Sequence, residues 1–413
     1  MVQGEHMHFL IVQSGLRNRS DHFYNETIGW LKACALRNVS TRLLIHHTAD
    51  KDVSEELKAL AVCKFQPFVK LPSEPSVREL DSFIKISAAV ANTLAKYGGN
   101  LGPKDVVIIP FATERDVFGV AQYLNHIAQD KRPHVVFLFH HPDHAWTIDI
   151  AAQKLISGDA SYCRFSALEL LRVLPARKTW YCATNGALAS LMTSVMGVKF
   201  QKVPIPPYYG PVLTTTLKPS TNKENNKHCH AHIGILGNFR AEKGSLNLYK
   251  IINGFTQKRP GRTIFAQVEN KSQEKEFKSA LSKLAHDNVH IFTGVYSNTE
   301  FMSRMQSLDL LLLPYVWQRY VFRISSLFAE ATACGVPTVV PSQTWMARRI
   351  LDGQSAGAIF ENKNADSIVN SLVKASDSAD DLKKLAASKS TQWARTQSTD
   401  ALVEHLISRV RQQ

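Results

Sequence analysis

Leu310-Leu-Leu-Leu-Pro-Tyr315, followed by Tyr320-Val-Phe-Arg-Ile-Ser325-Ser-Leu-Phe-Ala-Glu330-Ala-Thr-Ala-Cys-Gly335-Val-Pro-Thr-Val-Val340, reads as strand, loop, helix and strand. The apolar run Leu310–Pro314 has the length of a buried strand. Ser325 or Ser326 can cap a helix over Ser325–Cys334, because a hydroxyl there accepts from an otherwise unpaired backbone N–H. Gly335 ends the helix and Pro337 leads into a second strand, Thr338–Pro341.

The same alternation extends in both directions. Upstream come His232–Gly237 as strand, Leu246–Phe255 as helix, Thr263–Val268 as strand and Glu274–Ala285 as helix. Val289–Thr293 follows as strand and Thr299–Leu308 as helix. The first half repeats the pattern. Its strands are Met7–Gln13, Thr41–His47, Val106–Ala112, His134–His140 and Thr179–Ala183. Its helices are His22–Asn38, Val77–Tyr97, Arg115–Ala128, Ala167–Val173 and Ala187–Met196. Strands separated by helices predict α/β architecture, with a parallel sheet covered on both faces.

Two such series are separated by Pro204, Pro206, Pro207 and Pro211 and by the polar stretch Thr214–Lys227. We therefore expect an N-terminal domain over 1–205, a linker over 206–229 and a second domain over 230–395. The amphipathic segment within 396–413, Ala401–Arg411, is expected to pack back on the first domain. Two doubly wound Rossmann-like domains would face a ligand cleft at the carboxyl ends of their strands.

Composition excludes several classes. At 413 residues, 44% hydrophobic and 20% charged, this is an ordinary globular chain with room for two cores. No apolar run approaches the ~18 residues of a spanning helix. The N-terminus lacks a basic region leading into an apolar one, so a cytoplasmic protein is expected. The six cysteines form no C-x-x-C pair and read as reduced and buried. His228-Cys229-His230-Ala231-His232 lacks a second ligand pair, and no metal site is expected. The net charge of +14 suits an anionic partner, such as a phosphorylated small molecule or an acidic membrane surface, or else is a solvated surface. No nucleic-acid module is visible, and no nucleic-acid partner is expected.

Two constellations carry chemistry. Gly237-Asn238-Phe239-Arg240-Ala241-Glu242-Lys243-Gly244 follows a strand and would open a helix. Glycines permit close backbone approach, a helix N-terminus favours an anion, and Arg240 and Lys243 add two cations: a diphosphate site, or a polar turn with solvated cations. In the second, backbone N–H groups near Ser325 and Ser326 would meet a phosphate, and Glu330 could accept from a ribose diol. The alternative is a core helix with Glu330 in a structural ion pair.

These stretches resemble the donor domain of retaining GT-B glycosyltransferases, in particular glycosyltransferase family 4. Glu330-Ala-Thr-Ala-Cys-Gly-Val-Pro-Thr-Val-Val340 is similar to the family's E-A-x-A-x-G-x-P-V-V run, and Lys243-Gly244 to the end of its G-R-x-x-x-x-K-G loop. Phe292-Thr-Gly-Val295 resembles the segment lying against the base. The likeness covers mainly 232–345. It departs in two places: the family's first, sugar-contacting glutamate falls on Phe322, and Asn238 stands where the arginine follows the glycine. Arg240 can supply that charge, and Tyr320-Val-Phe-Arg323-Ile-Ser325 fits a Tyr-x-x-Arg-x-Ser variant in which Arg323 would bind phosphate.

The resemblance implies hexosyl transfer, with retention and without a metal, from a nucleoside diphosphate sugar to a glycan, lipid-linked or small-molecule acceptor, as in polysaccharide biosynthesis. The sugar nucleotide is co-substrate and no other cofactor is implied. Gly237, Gly244, Val295, Tyr315, Tyr320, Arg323, Ser325, Ser326 and Glu330 would bind it, with Arg240 and Lys243 at the leaving group. In this fold the loop holding Ser14, Gly15 and His22 faces the cleft and, with Phe322, would bind substrate; the alternatives are a plain solvent loop and a Phe322 that points into the core. His140 and His141 end a strand, placed for sugar hydroxyls or proton relay, or else are polar loop residues. Weak association with an anionic membrane at the inner face is expected. The alternatives are a non-catalytic nucleotide-sugar sensor, suggested by Phe322, and a sugar-nucleotide 2-epimerase.

Overall fold

The computed structural model describes residues 7–19, 22–67, 77–141, 146–149, 154–157, 160–204, 232–237, 240–268, 288–294 and 296–412, together with positions 275, 277 and 279. The expected linker, Val295, Asn238 and most of the expected helix Glu274–Ala285 lie outside the described residues.

The contacts divide the chain into two units: 1–147 with 155–208 and 399–413, and 148–154 with 209–398. The first holds strands β1 (His8–Gln13), β2 (Ser40–His46), β3 (Leu60–Cys63), β4 (Val106–Ile109), β5 (His134–Phe139), β8 (Thr179–Ala183) and β9 (Phe200–Lys202). They form one sheet in the order β3-β2-β1-β4-β5-β8-β9, every pairing parallel. Short strands β6 (Trp146–Asp149) and β7 (Lys154–Ser157) make a separate two-stranded sheet. The second unit holds β10 (His232–Ile235), β11 (Thr263–Val268), β12 (Val289–Thr293), β13 (Leu310–Leu312), β14 (Thr338–Pro341) and β15 (Gly357–Phe360). Their order is β12-β11-β10-β13-β14-β15, again all parallel.

Both sheets begin at an inner strand, run to one edge, then return and run to the other. The order therefore reverses between β1 and β4 and between β10 and β13. Loops leaving those strands diverge in opposite directions and open a crevice at the carboxyl ends. The central strands are buried on both faces, which is why β4 and β13, and β5 after His134, are uninterrupted apolar runs.

Several expected boundaries shift. β4 stops at Ile109, before Pro110, which has no N–H to give a ladder. β13 stops at Leu312, two residues before Pro314. The helix expected over Ala167–Val173 starts earlier, at Ser161. The expected helix directly after Gly237 is two 3-10 turns, Ala241–Lys243 and Ser245–Asn247; the α-helix starts only at Leu248.

Helix Thr399–Arg411 places Leu402, Val403, Leu406 and Ile407 in the same core as Trp30 and Ala33 of helix His22–Ala35. Arg37 pairs with Asp400 and Glu404. Gly29 leaves room for Thr399, whose Oγ1 would lie 2.9 Å from a Cβ there. The Arg409 guanidinium sits 5.5 Å from the Trp180 ring centre.

Candidate active site

The two stretches singled out in the sequence meet at the β10/β13 crevice. Gly237 follows β10 with φ +99°, and a Cβ on it would come within 2.6 Å of Leu327 and 3.4 Å of the Lys243 Nζ. Its N–H donates to Gln267 Oε1 at 2.9 Å, and Gln267 Nε2 donates to the Gly294 carbonyl at 2.7 Å. Gln267, which the sequence reading passed over as a strand residue, therefore ties the loops after β10 and β12 together.

The turn after β10 is docked on the loop after β13. Gly244 has φ +85°, and a Cβ there would fall 1.9 Å from the Pro314 carbonyl oxygen. Val316 N–H donates to the Glu242 carbonyl at 3.0 Å. Arg240, Lys243 and Tyr315 share one pocket with Gly237, Ser245 and Gln267. The Lys243 ammonium lies 6.0 Å from the centre of the Tyr315 ring, which packs 4.4 Å from that of Tyr320. Arg240 is more than half exposed and 3.8 Å from Glu242.

Ser325, not Ser326, is the cap: its hydroxyl accepts from Phe328 N–H at 3.2 Å and opens helix Ser326–Ala333. Ser325 also hydrogen-bonds Tyr315, whose phenol burial pushes well above its ordinary pKa. Burial likewise raises Tyr320; Arg323, Arg240 and Arg319 lie close enough to pull against it. Three cations thus gather around one tyrosine, and Arg319 was not among those expected. Glu330 is 2% exposed. Burial raises its carboxyl well above the usual range, and the nearby Lys243 ammonium opposes that rise. Phe322 and Arg323 are both half-buried.

The N-terminal candidates gather at the carboxyl edge of the first sheet. Gly15 passes over Phe23, whose ring lies 2.5 Å from where a Cβ would be. Phe23 meets Phe111 edge-on at 4.7 Å, and Phe111 stacks on His140 at 4.2 Å. His22 packs on Phe23 at 4.0 Å and on Phe111 at 5.5 Å. His140 Nε2–H donates to the Pro110 carbonyl at 2.8 Å. Burial, first, and then the His22 charge hold His140 down to about 4, so it is neutral at pH 7. His141 is half-buried beside it, the ring centres 6.4 Å apart, and Ser14 is buried. Phe111 was missed; its only signal was its place just after the proline that ends β4.

Among the described residues no group of three or more His, Cys, Asp or Glu side chains could hold a metal ion, and no helix is long and apolar enough to cross a membrane.

Residues 219–391 match the family model described as glycosyl transferases group 1. The whole chain is similar in fold to a glycosyltransferase from Rickettsia africae (TM-score 0.64, 10% identity, covering 99% of this chain and 98% of that one). It is also similar to HepE from Anabaena, solved in complex with UDP (TM-score 0.61, 12% identity, 98% and 100% covered). Sucrose-phosphate synthase from Thermosynechococcus elongatus aligns with TM-score 0.63 at 11% identity, over 98% of each chain. No curated protein matches at the level of sequence. The two parallel sheets with flanking helices are those of GT-B glycosyltransferases.

Proposed function

We propose that this protein is a glycosyltransferase that transfers a hexose from a nucleoside diphosphate sugar, with retention and without a metal. One observation carries the reading: Gly237, Arg240, Lys243, Ser325 and Glu330 converge at the switch point between β10 and β13. The group 1 family match over 219–391 and the shared fold with a UDP-bound transferase support it.

The diphosphate would lie against Gly237 and the start of helix Ser326–Ala333, where backbone N–H groups and the helix dipole favour negative charge. Charge grows on the leaving diphosphate as the glycosidic bond breaks. Arg240, Lys243 and Arg323 are positioned cations that stabilise it without moving, which is the main source of rate in such sites. The base would lie by Gly294, the ribose diol at Glu330, and Phe322 beside the sugar. His140, His141, Ser14, Gly15 and His22 would serve the acceptor side. Lipid-linked acceptors would bring the protein to an anionic membrane.

A thermal-shift series with UDP, GDP, ADP and their sugars tests the reading. A ligand at a hundred times its Kd stabilises by about 2.7 kcal/mol, so one nucleotide family should raise Tm by several degrees. If none moves Tm, the donor site is misassigned. Binding without turnover in any acceptor mixture would favour a sensor, the reading that Phe322 suggests. Conversion of the donor to an isomer without acceptor would favour an epimerase.

A further inference from the structure

The first unit has its own switch point, between β1 and β4, and the last residue of β1 there is Gln13. Its side chain is 1% exposed. Both amide atoms, Nε2 and Oε1, are buried without a hydrogen-bond partner. Among the described residues no other side chain has two such atoms. The four preceding residues, Phe9 to Val12, show what the strand otherwise demands: buried apolar side chains. A buried amide with neither its donor nor its acceptor satisfied weakens the folded state relative to an apolar residue of the same size. Such a group persists where something other than the fold uses it.

Its neighbours indicate what that is. The ladder sets Gln13 opposite Ile45 on β2. Pairing of Ile11 with Ile108 on β4 puts Gln13, two residues on, level with Pro110. The Pro110 carbonyl is the one that holds the His140 ring, and Phe111 stacks on that ring. With its Nε2–H committed to Pro110, neutral His140 keeps its lone pair on Nδ1. Ser14 and Gly15 follow directly in the chain, and Gly15 is pressed on Phe23. The nearest cation in that loop, Arg17, is already bonded to His46 and Gln66. The ladder and chain neighbours of Gln13, namely Ile45, Pro110, Ser14 and Gly15, thus carry no charge. A primary amide offers two N–H donors and a carbonyl acceptor side by side, the complement of two adjacent hydroxyls, which both donate and accept.

We propose that Gln13 is a specificity-determining residue on the acceptor side, its amide taking two hydroxyls of an uncharged sugar. This rests on the glycosyltransferase reading for the identity of the ligand as acceptor. The amide is held unsatisfied by the fold and becomes satisfied when the sugar binds, so a sugar lacking those hydroxyls is rejected.

The test uses Gln13→Leu and Gln13→Met in the full chain, with three measurements. First, Tm without ligand should rise in at least one variant, because an unpaired buried amide is replaced by an apolar group of similar volume. A fall in both shows that the amide is structural and overturns the proposal. Second, saturation-transfer NMR with the methyl glycosides of glucose, galactose, mannose and N-acetylglucosamine should show binding of at least one to the parent and at least tenfold weaker binding to the variants. No binding to the parent, or unchanged binding to the variants, overturns it. Third, titration of UDP, GDP and ADP separates this from the donor reading. Nucleotide affinity should be the same in parent and variants. Sugar binding lost with Gln13 in a protein that binds no nucleotide would leave the sugar site standing and remove the glycosyltransferase reading.

Discussion

Glu330 illustrates how a residue's burial becomes a measurable dependence on pH. Its carboxyl is 2% exposed, and burial raises its pKa, with Lys243 opposing the rise. In the free protein it therefore holds its proton to higher pH than an ordinary glutamate. A ribose diol donating two hydrogen bonds favours the carboxylate, so binding releases a proton. Nucleotide affinity should fall as pH is lowered below the free-state pKa, by up to tenfold per unit, and level off above it. Glu330→Gln should bind more weakly at high pH and lose the slope; titration at several pH values checks both. Lys243→Ala should weaken nucleoside diphosphate binding by about 1.5–3 kcal/mol, as should Arg240→Ala, since each removes a charge-assisted hydrogen bond to phosphate. If both variants bind as the parent does, the phosphate site is elsewhere. Phe322 is half-buried, so a carboxylate at that position is not forced into the core. Phe322→Glu should stay folded and shift donor preference toward fully hydroxylated hexoses. A variant that unfolds would place Phe322 in the packing instead of the site.

At the scale of elements, the site depends on two loops being pressed together. Gly244 puts its Cα so close to the Pro314 carbonyl that any side chain would clash, and its φ is in the region that L residues avoid. Gly244→Ala should destabilise by several kcal/mol and weaken nucleotide binding together, because the turn carrying Lys243 would have to leave the loop after β13. Chemical denaturation and nucleotide titration measure the two effects, and an unchanged Cm would show that the loops can part freely. These elements also show what was legible in the sequence. The central strands could be read because burial on both faces leaves a nearly unbroken apolar run, as in Thr179–Ala183, which falls at its expected limits; Thr263–Val268 also falls at its expected limits, although its burial alternates. The edge strands β3, β9 and β15 were not, since they are short and mixed in exposure, with Leu60 exposed and Gly357 opening β15. Gly237, Arg240, Lys243 and Glu330 were singled out by their spacing, and the structure brings them together. Gln267 and Phe111 were not, because each acts through a partner far along the chain: Gln267 reaches Gly237 and Gly294, and Phe111 stacks on His140.

On the scale of the whole molecule, a net charge of +14 acts together with an apolar surface on the first unit. Phe83 of helix Val77–Tyr97 stacks on Phe118 of helix Glu114–Asn125 at 5.2 Å, and Phe118 meets Phe165 of helix Ser161–Val173 at 5.1 Å. The three helices therefore lie side by side. The outer two expose Leu80, Ile84, Phe165, Leu168 and Leu171, with Lys85, Arg164 and Arg172 among them. Isolated exposed apolar residues are ordinary, but five on adjoining helices form a patch of the kind that marks an interaction surface. Burying one such side chain in the interfacial layer of a bilayer contributes about 1.5–3 kcal/mol, and each basic residue near an acidic surface about 1 kcal/mol. Charge alone would be lost within a Debye length as salt rises, whereas the apolar part would persist. The protein should therefore sediment with phosphatidylserine-containing vesicles at low salt and retain a smaller bound fraction at 0.5 M salt. Ile84→Glu combined with Leu168→Glu should abolish the salt-resistant fraction while leaving Tm and nucleotide binding unchanged, because both side chains already face water. Absence of sedimentation at low salt, or a double variant that sediments like the parent, would remove the membrane from this account and leave the patch to a protein partner.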